Sequence, residues 1–190
     1  NTGQDDFFGW DVALSGDGST LAISAIADDS AGSDPQDNSA SNTGAVFVYT
    51  RSADVWVLQA YLKASNADEN DSFGSALAIN QSGDYLAISA LGEAGISAKP
   101  EDNSAPLSGA VYIFARDAAD AWSEIAYLKA SNAGSEDLFG QSVSFDAEAS
   151  VLAVGAPLED RLIDGVVMVD SGKESLNTGA VYLYERSGSG

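Results

Sequence analysis

The chain has 190 residues, 45% of them hydrophobic, which is enough for a domain with a sizeable core and sets it apart from disordered chains. Twenty-nine acidic residues against eight basic ones leave a formal charge of −21, a field that repels nucleic acid and anionic lipid and attracts cations. Cysteine and histidine are both absent, which removes disulfides, thiolate metal sites, the usual zinc ligand and the commonest base at neutral pH, and no apolar run is long enough for a membrane-spanning helix.

Internal repetition is the dominant signal. Phe8-Gly9, Phe73-Gly74 and Phe139-Gly140 recur at intervals of about 65 residues, longer than most blade repeats. In the first copy a strand is predicted from Trp10 to Ser15, followed by the turn Gly16-Asp17-Gly18, which is good hairpin chemistry. A second strand follows over Leu21-Ala22-Ile23-Ser24-Ala25. After a polar loop a third runs from Gly44-Ala45-Val46 through Tyr49, and a fourth from Trp56 to Ala64. The second copy repeats this with Ser75 to Asn80, the turn Ser82-Gly83-Asp84, Leu86 to Ala90, Gly109 to Phe114 and Trp122 to Ala130. The third offers Gln141 to Asp146, Leu152 to Ala156 and Gly179 to Tyr184, and has no fourth strand. The expected units are residues 1–66, 67–132 and 133–190.

The third strands are apolar on both faces, where a solvated sheet alternates. Burial on both faces is what sheets stacked around an axis require. The expected fold is therefore all-β, with β-propeller blades of four antiparallel strands and a last blade lacking its outer strand. A flat solenoid is the alternative, but its rungs are usually shorter than these repeats. Phe8, Phe73 and Phe139 are read as plugs between blades, and Trp56 and Trp122 as packing residues rather than sugar platforms. Lys63 and Lys129 are read as charged guards on exposed outer strands.

The Phe-Gly pair before the first strand, with Gly155-Ala156-Pro157 closing a second strand, resembles the FG-GAP repeat of integrin α-like propellers, bacterial type. Ser24-Ala25-Ile26 and Ser89-Ala90-Leu91 are drifted versions. The resemblance implies an extracellular or cell-surface propeller, often of seven blades. Integrin-type repeats hold calcium in an Asp-x-Asp-x-Asp-Gly hairpin between the first two strands. Here that hairpin is too short and too poor in acids, so calcium, if bound, must use other loops. Three blades make an incomplete arc, to be completed by other propeller repeats or by identical chains through its open edge.

Acidic residues collect in the loops before the first strand and between the second and third, which this architecture places on one rim. Asp6, Asp71 and Asp137 each lie three residues from the repeat glycine backwards along the chain. Asp28, Glu93 and Glu159 share a second phase, Asp37 and Asp102 a third, and Asp160 follows Glu159. Clustered carboxylates with asparagines and carbonyls suit calcium. The same residues equally serve as caps for backbone N–H groups in turns. Both readings stand at this level.

Paired carboxylates could also serve glycoside hydrolysis, but a catalytic pair should break the repeat symmetry, and these acids follow it. The least symmetric segment is Leu158 to Thr178, with Arg161, Asp164, Met168, Asp170 and Lys173. No phosphate cradle or nucleophile elbow is present. The expected function is a non-catalytic extracellular binding or structural module, possessing an acidic rim for calcium, a protein or a carbohydrate. A self-assembling building block and a carbohydrate-active domain are the alternatives.

Overall fold

The computed structural model describes residues 3–97, 99, 101–160 and 177–187. The asymmetric positions Arg161, Asp164, Met168, Asp170 and Lys173 lie outside the described residues. Eleven strands and no helix are present among those described. The first sheet is β1 (Phe8–Leu14), β2 (Thr20–Ala25), β3 (Ala45–Ser52) and β4 (Val55–Leu62), hydrogen-bonded in that order. The second is β5 (Phe73–Ile79), β6 (Tyr85–Ala90), β7 (Ala110–Arg116) and β8 (Trp122–Leu128). The third has β9 (Ser142–Phe145), β10 (Val151–Ala156) and β11 (Ala180–Glu185), with β10 central. All pairings are antiparallel. The all-β, blade-like architecture is as expected, as is the three-stranded third sheet. The first strands β1, β5 and β9 are neighbours across the sheets, and the three sheets do not close into a ring.

Each blade is fixed to the one preceding it by backbone. Asn70, Ser72 and Phe73 donate their N–H groups to the carbonyls of Ser41, Asn42 and Thr43 at 2.9, 3.0 and 2.9 Å. One repeat later Glu136, Leu138 and Phe139 donate to Pro106, Leu107 and Ser108 at 2.9, 3.1 and 3.0 Å. These bonds draw the Phe-Gly strand start onto the glycine of the Gly-Ala-Val segment. A Cβ on Gly44 would lie 2.2 Å from the Phe73 carbonyl oxygen, and one on Gly109 would lie 2.1 Å from that of Phe139. Both glycines also have positive φ, +81° and +79°, so side-chain space and backbone conformation require glycine together.

Around this contact the cores form. The Phe73 and Phe139 rings are fully buried and meet Tyr112 and Tyr182 edge-on with centroids 5.3 Å apart in each case, a favoured aromatic geometry. β3 and β7 are buried on both faces along Ala45–Val48 and Ala110–Phe114. β11 alternates instead: Ala180 and Tyr182 are buried while Val181 and Leu183 are exposed, because among the described residues no sheet covers its second face. Phe8, lacking a blade on its other side, is 42% exposed where its two counterparts are 0%.

Two features depart from the sequence reading. Lys63 and Lys129 are not exposed guards; Lys129 and the side chain of Lys63 are buried, with Nζ directed inward to Thr43 Oγ1 at 2.5 Å for Lys63 and to Ser108 Oγ at 2.7 Å for Lys129. The outer strands also carry a bulge. Val48 pairs with Ala60 and Tyr49 with Leu58, leaving Gln59 as the extra residue, and Ile125 is the extra residue in the second blade.

Truncating the two ends of this series should separate junction from surface. Phe139→Ala is expected to destabilise by about 3–5 kcal/mol, the range for a fully buried aromatic. Phe8→Ala, which loses only its partial contact with Phe47, should lose less than about 2 kcal/mol. Urea unfolding of the two variants checks the contrast.

Candidate functional site

The loops preceding the first strands and those following the second strands are stitched together at one rim. Ala27 N–H donates to the Asp6 carbonyl at 3.2 Å and Gly92 N–H to the Asp71 carbonyl at 3.0 Å. This closeness brings the first-phase acids against the second-phase acids. All six are nearly fully buried: Asp6, Asp28, Asp71, Glu93, Asp137 and Glu159.

Asp6, Asp71 and Asp137 accept the N–H three residues back, from Gly3, from Asp68 at 2.8 Å and from Gly134 at 2.6 Å. This is the turn-capping geometry. Burial pushes the Asp71 carboxyl up to about 7, with Glu93 and Asp68 adding to the rise and the Asp68 N–H bond opposing it. Asp137 is pushed up to about 6 by burial, against the Gly134 N–H bond and with help from Glu159. Asp6 is raised by burial as well, with Asp28 and Asp29 contributing.

The second-phase acids sit in cages of protein donors. Glu93 accepts from Asn66 Nδ2 at 2.8 Å and Tyr127 OH at 3.2 Å, and the Tyr112 hydroxyl lies 3.0 Å from it. Burial raises its carboxyl despite these bonds. Glu159 accepts from Asn132 Nδ2 at 2.7 Å, with the Tyr182 hydroxyl 2.9 Å away. Asn66 and Asn132 lie in the turn that follows an outer strand and reach the carboxylate of the following blade, so each cage straddles a junction. In the first blade Asp28 replaces Glu and Phe47 replaces the internal tyrosine. The shorter carboxylate takes Tyr61 OH at 2.7 Å and Ser30 N–H at 3.1 Å, and pairs with Lys63 Nζ at 3.3 Å. Lys129 is the corresponding cation in the second blade, its amine pushed down to about 8 by burial while Glu93 and Asp102 oppose that shift.

The remaining predicted residues hold loops. Asp37 accepts from Ala31 N–H and Ser39 N–H, both at 3.1 Å, and Asp102 from Ile96 N–H at 3.2 Å and Ser104 N–H at 3.1 Å. The hydrogen bonds from Ser104 and Ser97 hold the Asp102 carboxyl down at about 2. Asp160 accepts from Asn177 N–H at 2.5 Å, as Asp29 does from Asn42 at 2.8 Å. Every predicted acid therefore serves as a hydrogen-bond acceptor, Glu93 and Glu159 across a blade junction and the others within their own loop or blade. Among the described residues no group of three or more Asp, Glu, His or Cys converges in the manner of metal ligands. The cage members Tyr61, Tyr127, Lys63, Lys129, Asn66 and Asn132 were not predicted as site residues. Their signal was the segment Tyr-Leu-Lys-Ala-Ser-Asn, identical in both outer strands.

The carboxyl pairs give a pH dependence of definite sign. Asp71 and Asp137 have folded-state values above the ordinary value near 3.8, so the folded chain holds more protons than the unfolded one between that value and about 7. Their contribution to stability is present at the acidic end and is lost as pH rises through that interval. Asp71→Asn keeps an acceptor for Asp68 N–H and cannot ionise. Its melting temperature should fall less than that of the parent chain between pH 5 and pH 8.

The FG-GAP repeat family matches residues 1–49, 56–114 and 122–184. The second and third matches open at Trp56 and Trp122, so the repeat of the family begins with the outer strand of one blade and continues into the next. Among curated proteins, none is similar enough to match the chain. No helix among the described residues is long and apolar enough to cross a membrane. With the family match spanning most of its length and the second and third Phe-Gly pairs buried at successive blade junctions, the chain belongs to the FG-GAP repeat family.

Proposed function

We propose that this chain is a non-catalytic propeller module of a secreted or cell-surface protein, and that it joins further repeats of its own kind blade face to blade face. The observation that carries this reading is the apolar face of the first blade. Phe7, Phe8, Trp10, Val12 and Leu14 are all exposed there, while the equivalent Phe73, Phe139 and Leu77 are buried by the adjacent blade. The area is of the kind that marks an interaction surface. At the opposite end, a concavity of about 450 Å³ lies over Ser142, Gly155, Ala156, Gly179 and Val181, the positions that receive the Phe-Gly pair at the two internal junctions. One end thus supplies the half that the other end lacks, which is the condition for head-to-tail association.

Support for the non-catalytic part is that the rim acids recur in phase and are engaged in the same structural hydrogen bonds in successive blades. The secreted or cell-surface setting rests on the kinship with integrin α-like repeats. Calcium enters this reading through the carboxyl pairs Asp6/Asp28, Asp71/Glu93 and Asp137/Glu159, where a divalent ion would compete with the protons that burial favours on Asp6, Asp71 and Asp137. Calcium needs six to eight oxygens, so loop carbonyls and water would have to supply most of each shell. A cationic protein surface or a cation-bridged saccharide is the ligand class that suits such a rim.

Light scattering over a range of protein concentrations, with and without calcium, tests this reading. A defined oligomer is expected to form as concentration rises, to be lost in Phe8→Ser, and to be more heat-stable with calcium at pH 8 than without it. A chain that stays monomeric throughout contradicts end-to-end association; an oligomer indifferent to calcium removes the metal from the account.

A further inference from the structure

The first blade breaks the repeat at its buried amine. Lys63, one residue past β4, brings Nζ to 3.3 Å from Oδ1 of Asp28, which lies three residues past β2 and 35 positions away in the chain. Both side chains are closed off from solvent, 6% and 4% exposed. The corresponding amine of the second blade, on Lys129, bonds Ser108 Oγ and is not within ion-pair distance of Glu93. The difference is one of side chains: Asp28 and Phe47 stand where the second blade has Glu93 and Tyr112. Glu93 is held by two tyrosines and Asn66, whereas Asp28 has Tyr61 and meets the amine directly.

We propose that Lys63 and Asp28 condense into an intramolecular amide, a cross-link that the folded chain forms without any other reactant. Within the ion pair the ammonium passes a proton to the carboxylate, leaving an amine beside a carboxylic acid. The Nζ–Cγ bond then forms and the Cγ–Oδ2 bond breaks. Oδ2 leaves as water, both of whose hydrogens come from the ammonium. Two donors are already aimed at Oδ1, Tyr61 OH at 2.7 Å and Ser30 N–H at 3.1 Å, and they hold the negative charge that grows there during attack. In the product they remain as the partners of the amide carbonyl. The amide N–H keeps Thr43 Oγ1, which the amine meets at 2.5 Å. Each polar group of the cross-link thus has its partner in place before the reaction, and two buried charges are removed. Free amine and acid in water favour hydrolysis over condensation. Contact within a fold raises the effective concentration to about 10⁵–10⁸ M, and the closed site keeps water away from the product. The bridge ties the end of β4 to the loop between β2 and β3, a covalent closure in a chain that has no cysteine. It leaves one carboxylate at the Asp6/Asp28 pair, so the linked blade holds calcium less well there.

The test is intact-mass spectrometry of the 190-residue chain in denaturant, followed by tryptic mapping. The parent chain is expected to be one water lighter than its sequence. Trypsin does not cut after an acylated lysine, so residues 1–51 should stay attached to the peptide that contains Lys63. Lys63→Arg and Asp28→Ala should carry the full sequence mass, whereas Lys129→Arg should keep the loss of water. The readout is independent of association and of calcium, so this proposal and the one above fail separately. A parent chain at full sequence mass, a loss that persists in Lys63→Arg, or a loss that maps elsewhere, such as to Asp17-Gly18, would overturn the cross-link.

Discussion

The fold depends on the approach of one backbone to another at the blade junction. Three N–H groups from the segment entering each new blade bond to three consecutive carbonyls of the blade behind it. The bonded segments lie so close that the intervening position has room for glycine alone. A contact of this kind fixes both distance and orientation, which hydrophobic burial by itself does not. The aromatic core then follows: with the Phe-Gly start held in place, Phe73 and Phe139 are directed between sheets, and the third strands are covered on both faces.

The acidic rim is a consequence of the same junction. The loops that carry the two phases of acids are the loops that the junction draws together, so carboxyl groups that a chain of charge −21 would otherwise spread through solvent are buried in pairs. Buried charge is tolerated only with partners. The partners come from the outer strand as Tyr, Lys and Asn, and the Asn reaches forward into the next blade. Rim and junction are thus coupled. A repeat is held to the next by backbone at its inner strand and by a carboxylate cage near its outer one.

Much of this was legible in the sequence because repetition reveals what one copy hides. The strand count, the blade order and the role of Phe73 and Phe139 followed from phase alone. The cap role of Asp6, Asp71 and Asp137 was visible as an alternative but not separable from metal ligation, since both use the same residue type in the same loop. The inward direction of Lys63 and Lys129 was not legible: an outer strand suggests exposure, and only the tertiary placement of Asp28 and Glu93 makes burial of an amine affordable. The bulges at Gln59 and Ile125 were equally hidden, because an extra residue in a strand leaves no mark in a period-two pattern until its partner strand is known.

The most direct test of the junction as the organising contact is urea unfolding of Gly109→Ala beside Gly179→Ala, at protein concentrations low enough to keep chain ends apart. The two glycines share their place in the repeat and nearly the same φ, +79° and +76°. A Cβ on Gly109 meets the Phe139 backbone oxygen at 2.1 Å, whereas one on Gly179 finds its nearest atom, the Pro157 oxygen, at 3.0 Å. Gly179→Ala should therefore lose about 1–2 kcal/mol, the strain of a left-handed residue. Gly109→Ala should lose at least about 2 kcal/mol beyond that, since it also forces the blades apart. Equal losses at the two positions would mean that the backbone approach between blades is not what holds the arc together.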